Sequence, residues 1–396
     1  MDDLSWFREQ LPEVAGWRRE FHRRPEIGFQ ETLTAARIAE LLRSWGIEVH
    51  TGIGGTGVVG VLRGSGGVAI GLRADMDALP MIERTSLPYR SENDNAFHGC
   101  GHDGHTSILL GVAKRLSSEA GRVGTVNLIF QPAEETLRGG TAMINDGLFE
   151  RFRCDEIYAL HNYPMIPVGT VAVRAGIMLA ASDRLEIDIR GVGSHGATPH
   201  KSIDPIMVAG QLIGQIQTAV SRALDPQEAG VVSIGTINGG TTNNVIPDRV
   251  LLTGIIRSVS DEGRSILHRR VRAICSGLAE GFGAAIECRI ETDCPATLNH
   301  PGPAAVVEEV ARELLGKDNV IADFKPAMAS EDFSFMLQAK PGAYFLIGQR
   351  GMPCHHPEYD FDDDIIPAAG AMLLGIVRKR AGNGTKLLRA SNDPSR

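Results

Sequence analysis

Arg184-Leu185-Glu186-Ile187-Asp188-Ile189 alternates polar and apolar side chains one for one, as a strand with one buried and one wet face should. Upstream, the apolar stretches read differently. Val58-Val59-Gly60-Val61-Leu62 and Val68-Ala69-Ile70-Gly71-Leu72 are short apolar runs bounded by glycines, which predicts strands. Val126-Asn127-Leu128-Ile129-Phe130 and Ile157-Tyr158-Ala159-Leu160 read as buried strands. Leu33 to Trp45 has helical periodicity with Gly46 as a stop, and Thr106 to Leu116 is also helical. This alternation predicts a sheet covered by helices on both faces. The change of pattern at about Asp183 therefore opens a second domain.

Downstream of that strand the spacing predicts a helix from Pro205 to about Ala223. Alternating strands follow at Val231 to Ile237 and Arg249 to Arg257, then a helix from Asp261 to Phe282 and a strand from Ala285 to Glu291. The order βαββαβ is the ferredoxin-like arrangement, with one sheet face open. After Pro301 the first style resumes. Ala304 to Leu315 reads as a helix, Ala343-Tyr344-Phe345-Leu346-Ile347 as a strand and Pro367 to Arg378 as a closing helix. A chain of 396 residues is too long for one core. The expected fold is α/β with two domains: a discontinuous domain of residues 1–182 and 295–396, interrupted by an insert at 183–294. The polar tail from Gly382 to Arg396 is expected to fray.

Composition narrows the function classes. A net charge of −8 without long Lys/Arg runs argues against nucleic acid and anionic membrane as partners. No stretch is apolar for long enough to span a bilayer. Met1-Asp2-Asp3-Leu4 is acidic and starts no apolar signal segment, so a cytoplasmic location is expected. Cys100, Cys154, Cys275, Cys288, Cys294 and Cys354 show no compact framework spacing. In a reducing compartment most would be thiols, and one in a His/Glu-rich motif is a candidate metal ligand.

The densest such motif is His98-Gly99-Cys100-Gly101-His102-Asp103-Gly104-His105-Thr106. Its glycines permit tight turns, so Cys100 and His102 can point at one centre. They cannot complete a site alone. Gln131-Pro132-Ala133-Glu134-Glu135 ends an apolar strand, where ligands collect in open α/β sheets. Adjacent carboxylates in an extended segment point apart, so one can bind metal while the other faces a water. His161 ends another strand, and His355-His356-Pro357 follows a late one. Each of these alone would pass for a satisfied histidine.

Together the pieces resemble one family. Gly71-Leu72-Arg73-Ala74-Asp75-Met76-Asp77-Ala78-Leu79-Pro80, the Cys100-to-His105 loop, Glu134-Glu135, His161-Asn162 and Ser194-His195-Gly196-Ala197-Thr198-Pro199-His200 come in the family's order. So do Asn244-Val245-Ile246-Pro247-Asp248, Ser330-Glu331-Asp332-Phe333 and His355-His356-Pro357. The match, over roughly residues 15 to 380, is to hippurate-hydrolase-type amidohydrolases. These belong to the metallopeptidase family of the aminoacylases, glutamate carboxypeptidase and the plant indoleacetyl-amino-acid hydrolases.

The resemblance implies a binuclear centre held by Cys100, His102, Glu135, His161 and His355, with Cys100 placed to bridge. It implies two divalent ions per subunit, zinc or manganese, with cobalt or nickel possible in vitro. Glu134 would be the general base, and Asp75 and Asp77 would orient the ligands. His195 would stabilise the oxyanion, in relatives often across to a neighbouring subunit. That would make the insert a dimerisation lid, in a homodimer or a dimer of dimers. Asn244 and Arg257 would bind substrate, Arg257 by clamping a carboxylate. Two positions depart from the pattern. Ser194 stands where many relatives have glycine, and Cys354 stands where leucine is common, which leaves an oxidisable thiol near the metals.

The activity implied is hydrolysis of an N-acyl amino acid to acid and amino acid. An acetyl- or succinyl-diaminopimelate deacylase and an N-carbamoyl amino acid hydrolase would use the same scaffold. A catalytically dead metal- or peptide-binding protein would have no reason to keep Glu134 and all five ligands. Gly52-Ile53-Gly54-Gly55-Thr56-Gly57 does not make a dinucleotide site, because the run from Thr56 reads as strand and offers no helix N-terminus to a pyrophosphate.

Overall fold

Ala69–Asp75 runs through an eight-stranded sheet in the computed structural model, which describes residues 1–64, 67–119 and 124–391. From edge to edge the strands are Glu48–Ile53, Gly57–Leu62, Thr125–Gln131, Ala69–Asp75, Glu156–Tyr163, Gly342–Gly348, Val171–Ala172 and Val320–Ile321. Ala69–Asp75 is parallel to both neighbours, and Gly342–Gly348 is parallel to Glu156–Tyr163. Four adjacent strands therefore end on one side of the sheet, at Gln131, Asp75, Tyr163 and Gly348. The loops that leave parallel strands converge there, which is where such sheets build sites.

This sheet belongs to the first of two compact units, which comprises Met1–Met178, Leu298–Lys325 and Glu331–Arg396. Its core is one apolar cluster in which Leu72, Leu128, Tyr158 and Phe345 of the sheet join Phe7, Leu109, Val307 and Leu373 of the helices. Two helix glycines are explained by this packing. A Cβ on Gly111 or Gly370 would stand 2.6 Å or 2.1 Å from the Phe7 ring. Glycine costs a helix interior about 1 kcal/mol relative to alanine, and here it makes room for a buried aromatic ring.

Several elements differ from the sequence expectation. The helix expected from Thr106 starts at His102. Gly101, at φ 101°, makes a left-handed turn into it, and Asp103 Oδ1 accepts a hydrogen bond from the Gly104 amide at 2.9 Å. His102 and His105 therefore sit on the first turn of a helix and not in a loop. Glu134 and Glu135 are not extended but form a 3₁₀ turn with Thr136, flanked by left-handed Ala133 and Leu137. The N-terminal helix Asp3–Arg23 and the edge strand Glu48–Ile53 were not anticipated. The closing helix runs from Ile366 to Ser391, through most of the tail expected to fray, and residues 392–396 lie outside the described residues.

The second unit comprises Leu179–Thr297 and Pro326–Ser330. Its four-stranded sheet has the order Gly230–Gly239, Arg249–Ser258, Ala181–Arg190, Ala285–Cys294, antiparallel throughout. The alternation at 184–189 has its expected consequence. Leu185, Ile187 and Ile189 are fully buried against Val208, Leu212, Leu267 and Val271 of the helices Pro205–Ile216 and Asp261–Phe282. On the other face Glu186 pairs with Arg289, and Asp188 with Arg249. Among the described residues, no helix is long and apolar enough to cross a membrane.

Candidate metal centre and active site

The first unit brings Asp75, Asp77, Cys100, His102, Glu134, Glu135, His161 and His355 to the carboxyl ends of the parallel strands. Asp75 ends its strand, and Asp77 lies two residues on. The fully buried ring of His102 is held between Asp77 and the carboxylates of Asp75, Glu134 and Glu135. Its Nδ1 lies 3.0 Å from the Asp77 carbonyl oxygen and 3.2 Å from the carboxylate, so Nδ1–H donates and Nε2 is the nitrogen turned toward the other site groups. That Nε2 lies 3.9 Å from Glu134 and 4.0 Å from Glu135. Asp77 also accepts the Glu135 amide at 3.0 Å, so one carboxylate positions both residues.

His161 is oriented in the same manner. Its Nδ1 donates to the Asn162 carbonyl at 2.6 Å, and its Nε2 faces the Cys100 sulfur at 3.4 Å. Burial, then the neighbouring His105, hold its pKa well below the ordinary value, which keeps it in the neutral, ligating form. His355, with a left-handed φ of 68°, sets its Nε2 3.4 Å from Glu135 Oε1. Next to it, His356 Nδ1 accepts the Glu358 amide within a turn.

Four candidate ligand groups lie among the described residues, two of them built on Glu134: His102, Glu134 and Glu135, and Glu134, Glu331 and Asp332. The other two carry the predicted ligands. Cys100, Glu135 and His355 each offer an atom within 4.8 Å of the others, and so do Asp75, His102, His105 and His161. Within the second group His105 is already engaged: Nδ1 meets Asp75 at 2.6 Å and Nε2 meets Asn162 at 2.7 Å. It positions Asp75 and has no free nitrogen for an ion. The sequence quoted His105 but gave it no role.

The two adjacent glutamates are pushed apart. Burial, then Glu331 and Glu135, drive the Glu134 carboxyl well above the usual carboxylate range. Burial opposes ionisation of Glu135 too, but the His355 ring, 3.4 Å from Oε1, and the charge of His102 hold it below that range. Side-by-side acids with opposed shifts take separate proton roles. The Cys100 thiol is pushed well up, first by the neighbouring Cys354 thiol and then by burial, so a thiolate there calls for a cation.

Beneath the site lies a buried network that the sequence did not reveal. Arg73 reaches Asp75 at 2.7 Å, Gln131 at 2.9 Å, Glu331 at 2.9 Å and Asp332 at 3.3 Å. Asp332 in turn accepts the Gly140 amide at 2.7 Å, tying the segment after Glu134 to the network. The motifs around Arg73 and Glu331 were visible, but nothing local in them says that they meet across 258 positions.

The donor set fits a pair of divalent ions. His102 Nε2 and Glu135 Oε1 are buried with no hydrogen-bond partner, among the described residues, although both face other ligand-capable groups. Native proteins seldom leave such atoms unpaired. Asp75, Glu331 and Asp332 also crowd against the Arg73 guanidinium, with Glu134 beside the last two. Thiolate, imidazole and carboxylate are donors suited to zinc and, without the thiolate, to manganese.

His195, Asn244 and Arg257 belong to the second unit. His195 and Asn244 are neighbours: Ser194–His195 pairs with Val245–Ile246, and the Gly196 amide donates to the Asn244 carbonyl at 2.7 Å. His195 Nδ1 accepts the Ala197 amide at 3.0 Å, so the neutral ring carries its proton on an exposed Nε2. Arg257 stands on the strand Arg249–Ser258 with Nη1 buried and unpaired. Among the described residues no hydrogen bond joins it to the other two.

The family model of peptidase family M20/M25/M40 matches residues 71–379. The chain is 43% identical over 364 residues to hippurate hydrolase of Campylobacter jejuni, covering 91% of this chain and 95% of that one. It is 38% identical over 380 residues to N-acetyl-L-cysteine deacetylase of Bacillus subtilis, covering 95% and 89%. A solved Bacillus subtilis structure, described as a dinuclear metal-binding peptidase of family M20, superposes with a TM-score of 0.82 at 31% identity, covering 95% of this chain and 99% of that one.

Proposed function

The chain belongs to peptidase family M20/M25/M40, and from that premise we propose the chemistry that its site performs. It is a metal-dependent amidohydrolase acting on substrates of the N-acyl amino acid type, with a dinuclear divalent site. The observation that carries this reading is the pair of buried, unpartnered donors, His102 Nε2 and Glu135 Oε1, turned toward further ligand-capable groups. Relatives named for hippurate and for N-acetylated amino acids support the substrate class.

In this reading Cys100, His102, Glu135, His161 and His355 would hold the ions. Bound there, the ions would polarise the scissile carbonyl and lower the pKa of the attacking water. Every other task falls to side chains. Glu134, buried among other acids, takes the proton of the water and passes it to the leaving nitrogen. Asp77 keeps the His102 ring turned so that Nε2 faces the site. His105 and Arg73 hold Asp75.

The second unit supplies the remaining groups. His195 donates its Nε2–H to the developing oxyanion, and Asn244 beside it hydrogen-bonds the substrate. Arg257, with an unsatisfied buried Nη1, clamps the amino acid carboxylate. The helix-on-one-face sheet supports a ferredoxin-like reading of this unit as a dimerisation lid. Gly230–Gly239 pairs on one side only, so its free edge suits pairing with the same strand of a second chain.

The experiment is a metal-loaded activity screen against hippurate, N-acetyl amino acids and N-acyl-diaminopimelate. Release of free amino acid from the first two classes, abolished by chelator and restored by zinc, manganese or cobalt, is expected. Full activity after exhaustive chelation would refute the assignment.

A further inference from the structure

Cys354 takes no part in that chemistry, yet it lies against a residue that does. Its segment runs beside the Cys100 loop: the His355 amide donates to the Gly99 carbonyl at 2.7 Å, and Cys354 Sγ to the Cys100 carbonyl at 3.7 Å. The two thiols are also close enough for each to shift the other's ionisation. Asn162 donates its side-chain amide to Cys354 Sγ at 3.7 Å, which holds that sulfur in place. Cys100 is buried, whereas Cys354 is only partly so. A small solute therefore reaches Cys354 first.

We propose that Cys100 and Cys354 form an oxidisable pair, closed to a disulfide by a peroxide, which removes Cys100 from the metal centre and releases its ions. The metal-release half rests on the reading of Cys100 as a ligand. The chemistry balances with hydrogen peroxide as the two-electron oxidant. The Cys354 sulfur attacks one peroxide oxygen, the O–O bond breaks, and a sulfenic acid forms with loss of one water. The Cys100 sulfur then attacks the Cys354 sulfur, the S–S bond forms, the S–O bond breaks, and a second water leaves. Both sulfurs are oxidised and both peroxide oxygens are reduced; the Cys354 thiol proton ends in water, and solvent supplies the proton that the metal-bound Cys100 thiolate lacks. A dithiol reductant reverses the bond.

A second pair of mutually interacting cysteines, Cys275 and Cys288, lies in the other unit and serves as an internal comparison. Its oxidation would leave the metal ligands untouched.

The test treats the metal-loaded full chain with hydrogen peroxide and reads peptide linkage by mass spectrometry, free thiols and released metal together. A Cys100–Cys354 linked peptide is expected, with loss of bound metal in step with it. Thiol reduction followed by added metal should restore both. Cys354→Ala should keep its metal and turnover when reduced, and should lose metal more slowly under peroxide. Stepwise oxidation of either sulfur to sulfinic acid with no linked peptide would overturn the pair. A linked peptide with metal fully retained would overturn the release and, with it, the placement of Cys100 among the ligands. Metal loss from Cys100→Ala without peroxide tests the ligand role separately from the pair.

Discussion

His102 Nδ1 lies 3.0 Å from the main-chain oxygen of Asp77 and 3.2 Å from its carboxylate, with both side chains fully buried. This contact decides which ring nitrogen faces the ions. The same carboxylate fixes the Glu135 amide. Asp77→Ala should therefore weaken metal binding by roughly 10- to 100-fold, the usual cost of removing a group that orients a ligand. Titration of metal-free protein with zinc checks this. An unchanged affinity would show that the ring is held by something else.

If Glu134 is the proton carrier proposed above and not a ligand, Glu134→Gln separates turnover from metal binding. Metal content should stay near that of the unaltered chain while kcat falls by roughly 10²- to 10⁴-fold. Metal analysis and steady-state kinetics on one preparation separate the two effects. Near-normal kcat would end the general-base assignment.

Mixing two inactive variants tests the lid. His195→Ala should lower kcat by on the order of a hundredfold, as loss of an oxyanion donor does elsewhere. If His195 serves the partner's site, a heterodimer of His195→Ala and Glu134→Gln contains one complete site. Activity should return when subunits exchange. No return despite verified exchange would confine His195 to its own chain.

The fourth prediction concerns pH and the helix Asp3–Arg23. His22 Nδ1 lies 2.8 Å from Asp103 and Nε2 lies 3.5 Å from Glu83, all buried. Burial alone would lower the His22 pKa, but the contacts with Asp103 and Glu83 outweigh it and raise it from 6.5 to about 9. A raised folded-state pKa stabilises the fold fully below about 6.5 and is lost as pH rises through about 9. The Tm difference between the unaltered chain and His22→Gln should thus be large at pH 6 and shrink toward pH 10. A constant difference would show that His22 contributes by packing alone.

Much of this protein was legible in order along the chain. The alternation at 184–189 marks the second unit because the two-residue period of a strand needs no knowledge of what covers it. The apolar runs at 126–130 and 157–160 likewise show strands, and Glu134, Glu135 and His161 fall at their ends. The resemblance then singled out His355, which no local pattern separates from His356.

What the tertiary structure alone decided is orientation. His102 and His105 stand on one helical turn, three residues apart. One is open to a metal and the other is closed, because Asp77 takes only one nitrogen of the first while Asp75 and Asn162 take both of the second. The Arg73–Glu331 pair joins residues 258 positions apart, and the Cys100–Cys354 contact joins residues 254 apart. Ring orientation and protonation follow from which polar atoms pack around a buried group. Those atoms are brought together by folding and not by nearness in the chain.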